Sequence, residues 1–310
     1  MADPALAPDA LESLACTSQP TQRSPPFSVL VAEIGSAHRT AHGFETYITA
    51  HQIHREPDSA YPGTDKNGFG VRPLLWAAAD SVVLVGSEGS GYTHVRAVDP
   101  NGDVASGTNS SHNLTPMDCE AQDWTISTDR EYLFYASNCD HMEALGVGRI
   151  SVRSKTRSPV FPGTLTHIAG LSGEENGGQG MAPLRGGGVA FFAASFNASA
   201  GVWIQSKANN APQLLTRSDQ PAAVGAFRAP RLVTFPSRDG LVTISAWLFE
   251  ARGAARGSPA VIYTHGGAMR KAYVAIDFAL EYATWYAMNQ YLSQVGGVNV
   301  LSVNYRGRCT

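Results

Sequence analysis

The chain has 310 residues, of which 43% are hydrophobic and 16% are charged. Lys and Arg number 23 against 26 Asp and Glu, so the formal net charge is −3. This mild balance disfavours a nucleic-acid-binding protein, which would carry a basic face. No uninterrupted apolar run approaches the ~18 residues of a membrane-spanning helix, so none is predicted. The 31 glycines indicate many turns, and hence many short strands.

Four cysteines are scattered along the chain without a Cys-x-x-Cys pair: Cys16, Cys119, Cys139 and Cys309. This spacing indicates neither a disulfide framework nor a zinc ribbon, so we expect reduced structural thiols. Residues 1–26, rich in Pro, Ala and Ser, predict a flexible leader without the features of a signal peptide. The expected location is therefore cytoplasmic.

Residues 27–228 repeat a strand–turn–strand plan. Apolar runs begin at Val82, Tyr132 and Val189, and a turn and a second run follow each of them. Short segments at 113–115, 167–168 and 214–216 are interpreted as closing the three units. Recurrence on this scale predicts a β-propeller, complete or incomplete, of about four blades if runs at 27–34 and 44–53 add one more. The alternative is a β-sandwich with accidental spacing.

A different pattern begins near residue 229 and predicts the opening of an α/β sheet. A hairpin comes first, and the apolar run that follows it is typical of a buried strand. A helix ended by Gly296-Gly297 then leads to a second buried strand. The predicted elements are strands at 231–235 and 241–249 around a turn at 237–240, a strand at 259–264, a helix at 276–294 and a strand at 298–305.

The sharpest motif is His265-Gly266-Gly267, directly after the apolar run 259–264. Glycines at the end of a strand let the backbone turn sharply and aim N–H groups into an open site, as stabilisation of an oxyanion requires. We therefore take His265, Gly266 and Gly267 as candidates for an oxyanion loop. The alternative is a Gly-rich turn with an incidental histidine.

Three motifs occur in the order and at the spacing of a known family: 237–240 (SRDG), 261–267 (VIYTHGG) and 300–307 (VLSVNYRG). Together they resemble the entry to the catalytic domain of the prolyl oligopeptidase family of serine peptidases, which includes dipeptidyl peptidase IV-like and acylaminoacyl peptidase-like enzymes. The stretch from Asp123 to Asn138 is similar to a degenerate propeller blade of these enzymes. The resemblance implies a β-propeller followed by an α/β-hydrolase domain, here placed at 229–310.

The resemblance also assigns roles to individual residues. His265-Gly266-Gly267 matches one side of the family's oxyanion hole, with a backbone N–H or the imidazole as donor. Some relatives have a Tyr in place of His265. The residue after the two glycines is usually Pro in the family, whereas this chain has Ala268. The turn at Tyr305-Arg306-Gly307 also matches, but the family's small, Gly-rich continuation is replaced from Arg308 onward.

No Gly-x-Ser-x-Gly nucleophile elbow occurs in the 310 residues. In the family the nucleophile, acid and base all lie beyond the segment that ends near Gly307. The sequence therefore predicts a C-terminally truncated fragment that lacks the Ser/Asp/His triad and is inactive alone. In its full-length form it would hydrolyse peptide bonds of short peptides, with the propeller limiting substrate size. The alternatives are a carboxylesterase-type hydrolase and a non-catalytic propeller scaffold.

Weaker signals suggest no cofactor and no metal. The spacing of His38, His42, His51 and His54 fits one helical face, but surface histidines are the simpler interpretation. Glu174-Glu175 is similar to the paired acids with which dipeptidyl peptidases hold a substrate amino terminus, and it is interpreted as a solvated loop. Gly146-Val147-Gly148 lacks the third glycine of a nucleotide-binding loop. The predicted partner is a short peptide, with no nucleic acid or membrane.

Overall fold

The computed structural model describes most of the strands and one long helix. The described residues are 28–34, 38–40, 43–45, 48–55, 75–77, 83–87, 94–99, 101, 111–116, 119, 121–139, 144–160, 166–167, 180–207, 210–216, 222–254, 257–265, 272–276 and 280–305. Gly266 and Gly267, the Glu174-Glu175 pair, His42, Cys16 and Cys309 lie outside these ranges. Neither helix within them has the length and apolar character needed to span a bilayer.

The fold is mainly β, with several antiparallel sheets, and no sheet closes on itself within the described ranges. Two small antiparallel pairs come first. One pairs β1 with β4, the other β2 with β3; the strands are β1 (Ser28–Ile34), β2 (His38–Thr40), β3 (Gly43–Glu45) and β4 (Ile48–Arg55). His38, His51 and His54 therefore lie in strands, and the helical face suggested by their spacing is wrong.

Three larger antiparallel sheets follow in chain order. Sheet I contains β5 (Leu75–Trp76), β6 (Val83–Ser87), β7 (His94–Val98) and β8 (Ser111–Asn113). Sheet II contains β9 (Ala121–Ile126), β10 (Tyr132–Ser137), β11 (Gly146–Ser151) and β12 (Arg157–Pro159). Sheet III contains β13 (Thr166–His167), β14 (Met181–Leu184), β15 (Gly188–Ser195), β16 (Ala198–Gln205) and β17 (Gln213–Leu214). The strand pairs predicted from the repeated runs are thus confirmed.

Sheet II lies between sheets I and III because β10 is apolar on both faces. Successive side chains of a strand point to opposite faces. Leu133 packs with Val95 of sheet I, whereas Phe134 packs with Phe191 of sheet III, and both β10 side chains are 0% exposed. Neither face of the middle sheet is therefore left to solvent along β10.

In sheets I and III, the residues that follow the last strand bind the neighbouring strand in the same way. In sheet I, Leu114 N–H donates to the Val95 carbonyl at 2.8 Å, and Val95 N–H donates to Thr115 Oγ1 at 3.0 Å. In sheet III, the same two bonds at the same distances join Leu215 and Thr216 to Val202. The predicted closing segments at 113–115 and 214–216 are confirmed in this role.

The prediction that the segment 167–168 closes the second unit is wrong. His167 belongs to β13, which pairs with Ala193 of β15 and so starts sheet III instead of ending sheet II. The outer strand of sheet II is β12, where Arg157 pairs with Ile150. The sequence 157–159 contains a charged residue and a proline, so it carries none of the apolar character used to find the other strands.

The expectation of reduced thiols is also wrong for two cysteines. Cys119 and Cys139 form a disulfide with their Cα atoms 4.9 Å apart. They lie just outside the paired ends of β9 and β10, where Ala121 faces Ser137. The antiparallel register brings together two residues that are 20 positions apart, a proximity that their spacing alone does not reveal. Disulfides are typical of oxidising compartments, so this pairing weighs against the cytoplasmic prediction.

Two turns have the same set of hydrogen bonds: the turn between β9 and β10 and the predicted hairpin turn at 237–240. In the first, Ser127 Oγ donates to Asp129 and accepts the Tyr132 N–H. In the second, Ser237, Asp239 and Val242 make the same contacts. The fourth residue is left-handed in both turns: Gly240 has a φ of 73° and Arg130 a φ of 61°. Glycine adopts this conformation without strain, whereas arginine does not.

After the short helix α1 (Ala222–Gly225), a mixed sheet with one long helix completes the described chain. Sheet IV has the order β18-β19-β21-β20, with β20 and β21 parallel and the other pairs antiparallel. The helix connects the two parallel strands, as a β-α-β crossover requires. The elements are β18 (Arg231–Pro236), β19 (Thr243–Phe249), β20 (Ala260–Thr264), α2 (Leu280–Gln294) and β21 (Asn299–Asn304). Gly297, with a φ of 65°, follows the helix end as predicted.

The burial predicted for the strand at 259–264 is wrong. Val261 is 44% exposed and Ile262 is 69% exposed. β20 is the edge of sheet IV, and β21 alone pairs with it among the described residues. β21, which lies inside the sheet, alternates buried and half-buried side chains. The apolar run therefore identified a strand correctly but not its position at an edge.

Candidate functional site

The candidate site lies where the parallel strands β20 and β21 end. Both strands run in the same direction, with Thr264 of β20 facing Val303 of β21. His265 follows β20, and Tyr305 follows the last residue of β21, Asn304. Parallel strands place their carboxyl ends at one edge of a sheet, which is where α/β folds bind ligands. His265 and the pair Asn304-Tyr305, which belong to two motifs of the sequence resemblance, thus lie at one edge.

His265 is held by Tyr305 through two contacts. The two rings stack with their centroids 5.1 Å apart and an interplanar angle of 24°. The Tyr305 hydroxyl donates a hydrogen bond to the His265 carbonyl at 3.1 Å. His265 is 3% exposed, so this first predicted site residue is buried at the strand end. The two glycines that follow it lie outside the described ranges, and their predicted role stays a prediction.

A second anchor lies where the described chain resumes, at Ala272. Its N–H donates to Asn304 Oδ1 at 2.8 Å, and its carbonyl accepts from Asn304 Nδ2 at 3.3 Å. The same carbonyl accepts a hydrogen bond from the Trp247 indole N–H at 2.9 Å. His265 and Ala272, which precede and follow residues 266–271, are therefore both hydrogen-bonded at the end of β21. The Trp247 indole of β19 adds a further donor to Ala272.

A cluster of buried side chains, three of them aromatic, includes Trp247, whose indole binds Ala272. Trp247 and Phe249 of β19, Tyr286 of α2 and Val300 of β21 are all buried in it. Phe249 and Tyr286 meet edge to face, with ring centroids 5.6 Å apart. The helix therefore packs on the sheet face that carries Trp247, so the indole that binds Ala272 is itself fixed by packing.

Tyr286 also ties sheet IV to sheet III. Its hydroxyl donates to the carbonyl of Phe196, in the turn between β15 and β16, at 3.0 Å. Burial raises the pKa of the Tyr286 phenol above its ordinary value, and the smaller opposing effect is the hydrogen bond with Gln290. The phenol therefore stays a neutral donor throughout the neutral pH range.

Gln290 fixes the segment that leads into sheet IV. Its amide donates to the Arg228 carbonyl at 2.8 Å and accepts the Arg228 N–H at 3.1 Å. The side chain is 1% exposed, so these bonds satisfy a buried amide. Helix α2 thereby holds both the aromatic cluster and the entry to β18.

Two other sequence signals have structural explanations. Ser237-Arg238-Asp239-Gly240 forms the hairpin turn described above, in which the Ser237 hydroxyl is engaged by the turn itself. Gly146 and Gly148 lie in β11, and a Cβ at Gly148 would come within 2.8 Å of the Tyr135 ring. Gly148 therefore makes room for an aromatic side chain, and the two glycines belong to a strand instead of a nucleotide-binding loop.

Sequence reasoning assigned no role to four residues of this site. Asn304 and Tyr305 were matched to a family motif without a role, and neither Trp247 nor Gln290 was singled out. A polar Asn at the end of the apolar run 298–303 was the available signal for Asn304. No three His, Cys, Asp or Glu side chains within the described ranges are grouped so as to hold a metal ion.

Comparison with known proteins finds similarity at the level of fold. No family model matches the chain. No curated protein matches it either. Among solved structures, puromycin hydrolase matches with a TM-score of 0.53, and a serine-to-alanine variant of it complexed with PGG matches with a TM-score of 0.56. Both are 18% identical in sequence, and both matches cover 88% of this chain.

At 18% identity, the likeness to these two hydrolase structures shows a shared fold over the aligned part and nothing further. The alignment covers 37% of the length of either neighbour.

Proposed function

We propose that this chain is the propeller and oxyanion-loop part of a serine peptidase, with residues 27–228 forming propeller blades and 229–310 beginning the α/β-hydrolase domain. The observation that carries the proposal is that His265 and Ala272, the described residues before and after 266–271, are both hydrogen-bonded beside the end of β21. Two adjacent glycines in a segment with fixed ends provide backbone N–H donors of the kind that an oxyanion hole needs. The peptidase fold of the structural neighbours supports the same conclusion.

In this proposal the substrate is a short peptide whose scissile carbonyl oxygen becomes negatively charged during attack. The N–H of Gly266 or Gly267 would stabilise that charge, because donors fixed in advance need no reorganisation when it develops. The stacked sheets I, II and III would admit short peptides to the site and exclude longer ones. Because the sequence contains no Gly-x-Ser-x-Gly elbow, the proposal gives this chain anion stabilisation and places the attacking serine outside it. Neither the carboxylesterase nor the scaffold alternative is favoured by the comparisons.

The test is peptide hydrolysis by the full-length protein with a proline substitution in this loop. Gly266→Pro removes one backbone N–H, and losing one oxyanion donor lowers kcat by about 100- to 1000-fold. Ala268→Pro is the matched control, because proline is the residue that the resembled family usually carries at this position. Comparable activity of Gly266→Pro and Ala268→Pro on short aminoacyl-coumarin peptides would refute the assigned role.

A further inference from the structure

Two triplets within the described ranges match Asn-x-Ser/Thr, the acceptor motif for N-linked glycosylation. They are Asn113-Leu114-Thr115 and Asn197-Ala198-Ser199, and a further triplet begins at Asn109, outside those ranges. Such triplets also arise by chance in sequences rich in turns, so the motif alone assigns no modification. The structure adds two independent observations, a disulfide and the surroundings of each triplet.

The Cys119–Cys139 disulfide indicates that the chain folds in an oxidising compartment. The bond lies beside the paired ends of β9 and β10, and Cys119 is 6% exposed. Structural disulfides are typical of secreted and extracellular proteins and rare in the cytosol. N-linked glycans are also a feature of secreted proteins. The disulfide therefore places the triplets in the kind of compartment where this modification occurs.

Asn197 lies at the tip of a hairpin. β15 ends at Ser195 and β16 begins at Ala198, so Phe196 and Asn197 form the turn between them. Asn197 and Ser199 are half-buried, and part of each is therefore in contact with solvent. The Ser195 hydroxyl donates to Asn197 Oδ1 at 3.2 Å, and glycosylation keeps this acceptor because the sugar is attached to the amide nitrogen. A turn at the surface is a position that accommodates a bulky glycan.

The triplet at Asn113 has different surroundings. Thr115 is 3% exposed, and its Oγ1 accepts the Val95 N–H at 3.0 Å within sheet I. Leu114 is 5% exposed. Asn113 itself pairs with Arg96 of β7, and its amide oxygen is buried. A glycan on this amide would have to fit against packed groups, so the structure distinguishes two triplets that the sequence motif treats alike.

We propose that Asn197 carries an N-linked glycan, transferred from an oligosaccharide on a polyprenyl diphosphate, and that Asn113 does not. In the transfer, the Asn197 amide nitrogen loses a proton and forms a bond to the anomeric carbon of the first sugar. The bond from that carbon to the diphosphate breaks, and the polyprenyl diphosphate leaves with the electron pair and takes up the proton. The proposal is independent of the peptidase function, and its tests involve no peptide substrate.

The first test maps the modification in the full-length protein isolated from the cells that encode it. Peptide N-glycosidase in ¹⁸O-labelled water converts each glycosylated asparagine to a labelled aspartate, which mass spectrometry assigns to a position. Label is expected at position 197 and not at position 113. An unmodified Asn197, or label at position 113, would overturn the assignment.

The second test follows the glycosidase-sensitive electrophoretic mobility of the full-length protein expressed in eukaryotic cells. Asn197→Gln and Ser199→Ala should each lose one mobility step, whereas Ser199→Thr preserves the motif and should retain it. Asn113→Gln is the matched control and should leave the mobility unchanged. Mapping of the Cys119–Cys139 disulfide in each variant separates loss of the glycan from misfolding. A step that persists in Asn197→Gln, or the absence of any step before substitution, would contradict the proposal.

Discussion

Removing the Cys119–Cys139 disulfide tests the register of sheet II quantitatively. The bond joins residues 20 positions apart across the paired ends of β9 and β10. In the chain-entropy description, a cross-link over a loop of this length stabilises the folded state by about 3 kcal/mol. Cys119→Ser/Cys139→Ser should therefore lower the free energy of unfolding by that amount, which corresponds to a fall of roughly 1 M in the urea midpoint.

The assay is urea unfolding followed by tryptophan fluorescence, since Trp124 of β9 is 2% exposed and lies in the core between sheets I and II. Cys16→Ser/Cys309→Ser is the matched control, because it removes two cysteines without touching the disulfide. Non-reducing peptide mapping should find Cys119 linked to Cys139. Equal midpoints for the two double variants, or two alkylated thiols at 119 and 139, would refute the pairing and with it the register of β9 and β10.

Three further predictions concern single side chains. Arg130→Gly should raise the free energy of unfolding by up to about 1 kcal/mol, because relief of the left-handed backbone exceeds the entropy cost of glycine; lower stability in urea would contradict this. Tyr286→Phe should lower the free energy of unfolding by about 1 kcal/mol, because it deletes the hydrogen bond to the Phe196 carbonyl. The control Tyr291→Phe, at an exposed residue, should leave the free energy of unfolding unchanged, and equal losses in the two variants would exclude that hydrogen bond as the cause. Burial, and to a smaller extent two nearby cations, lowers the pKa of His112, so the contribution of His112 to stability is complete above its ordinary pKa of 6.5 and falls as the pH drops below that value. His112→Gln should therefore reduce the loss of stability between about pH 7 and pH 5, and an unchanged pH dependence would disprove this.

Local patterns in the sequence predicted the strands well. The apolar runs at Tyr132 and Val189 identified β10 and β15, and the Leu-Thr segments identified the ends of sheets I and III. These features appear in the sequence as continuous apolar runs and as a Leu-Thr pair that recurs after them. Both can be seen in a short stretch of sequence.

Features that depend on distant parts of the chain were not predicted. β12 has no apolar run, the Cys119–Cys139 pairing follows from strand register, and the exposure of Ile262 follows from the edge position of β20. The hydrogen bond between Ala272 and Asn304 joins residues that are 32 positions apart in the chain. The sequence predicted an oxyanion loop at His265-Gly266-Gly267, whereas the contacts of His265 with Tyr305 and of Ala272 with Asn304 could be found only once sheet IV was assembled.

The most direct measurement of the central proposal is reaction of the purified 310-residue chain with a fluorophosphonate probe. The proposal assigns an anion-stabilising loop to this chain and no attacking serine, so mass spectrometry should find no serine covalently modified. A serine labelled in the native chain but not after denaturation would show that a complete nucleophilic site exists here, and would contradict the proposal.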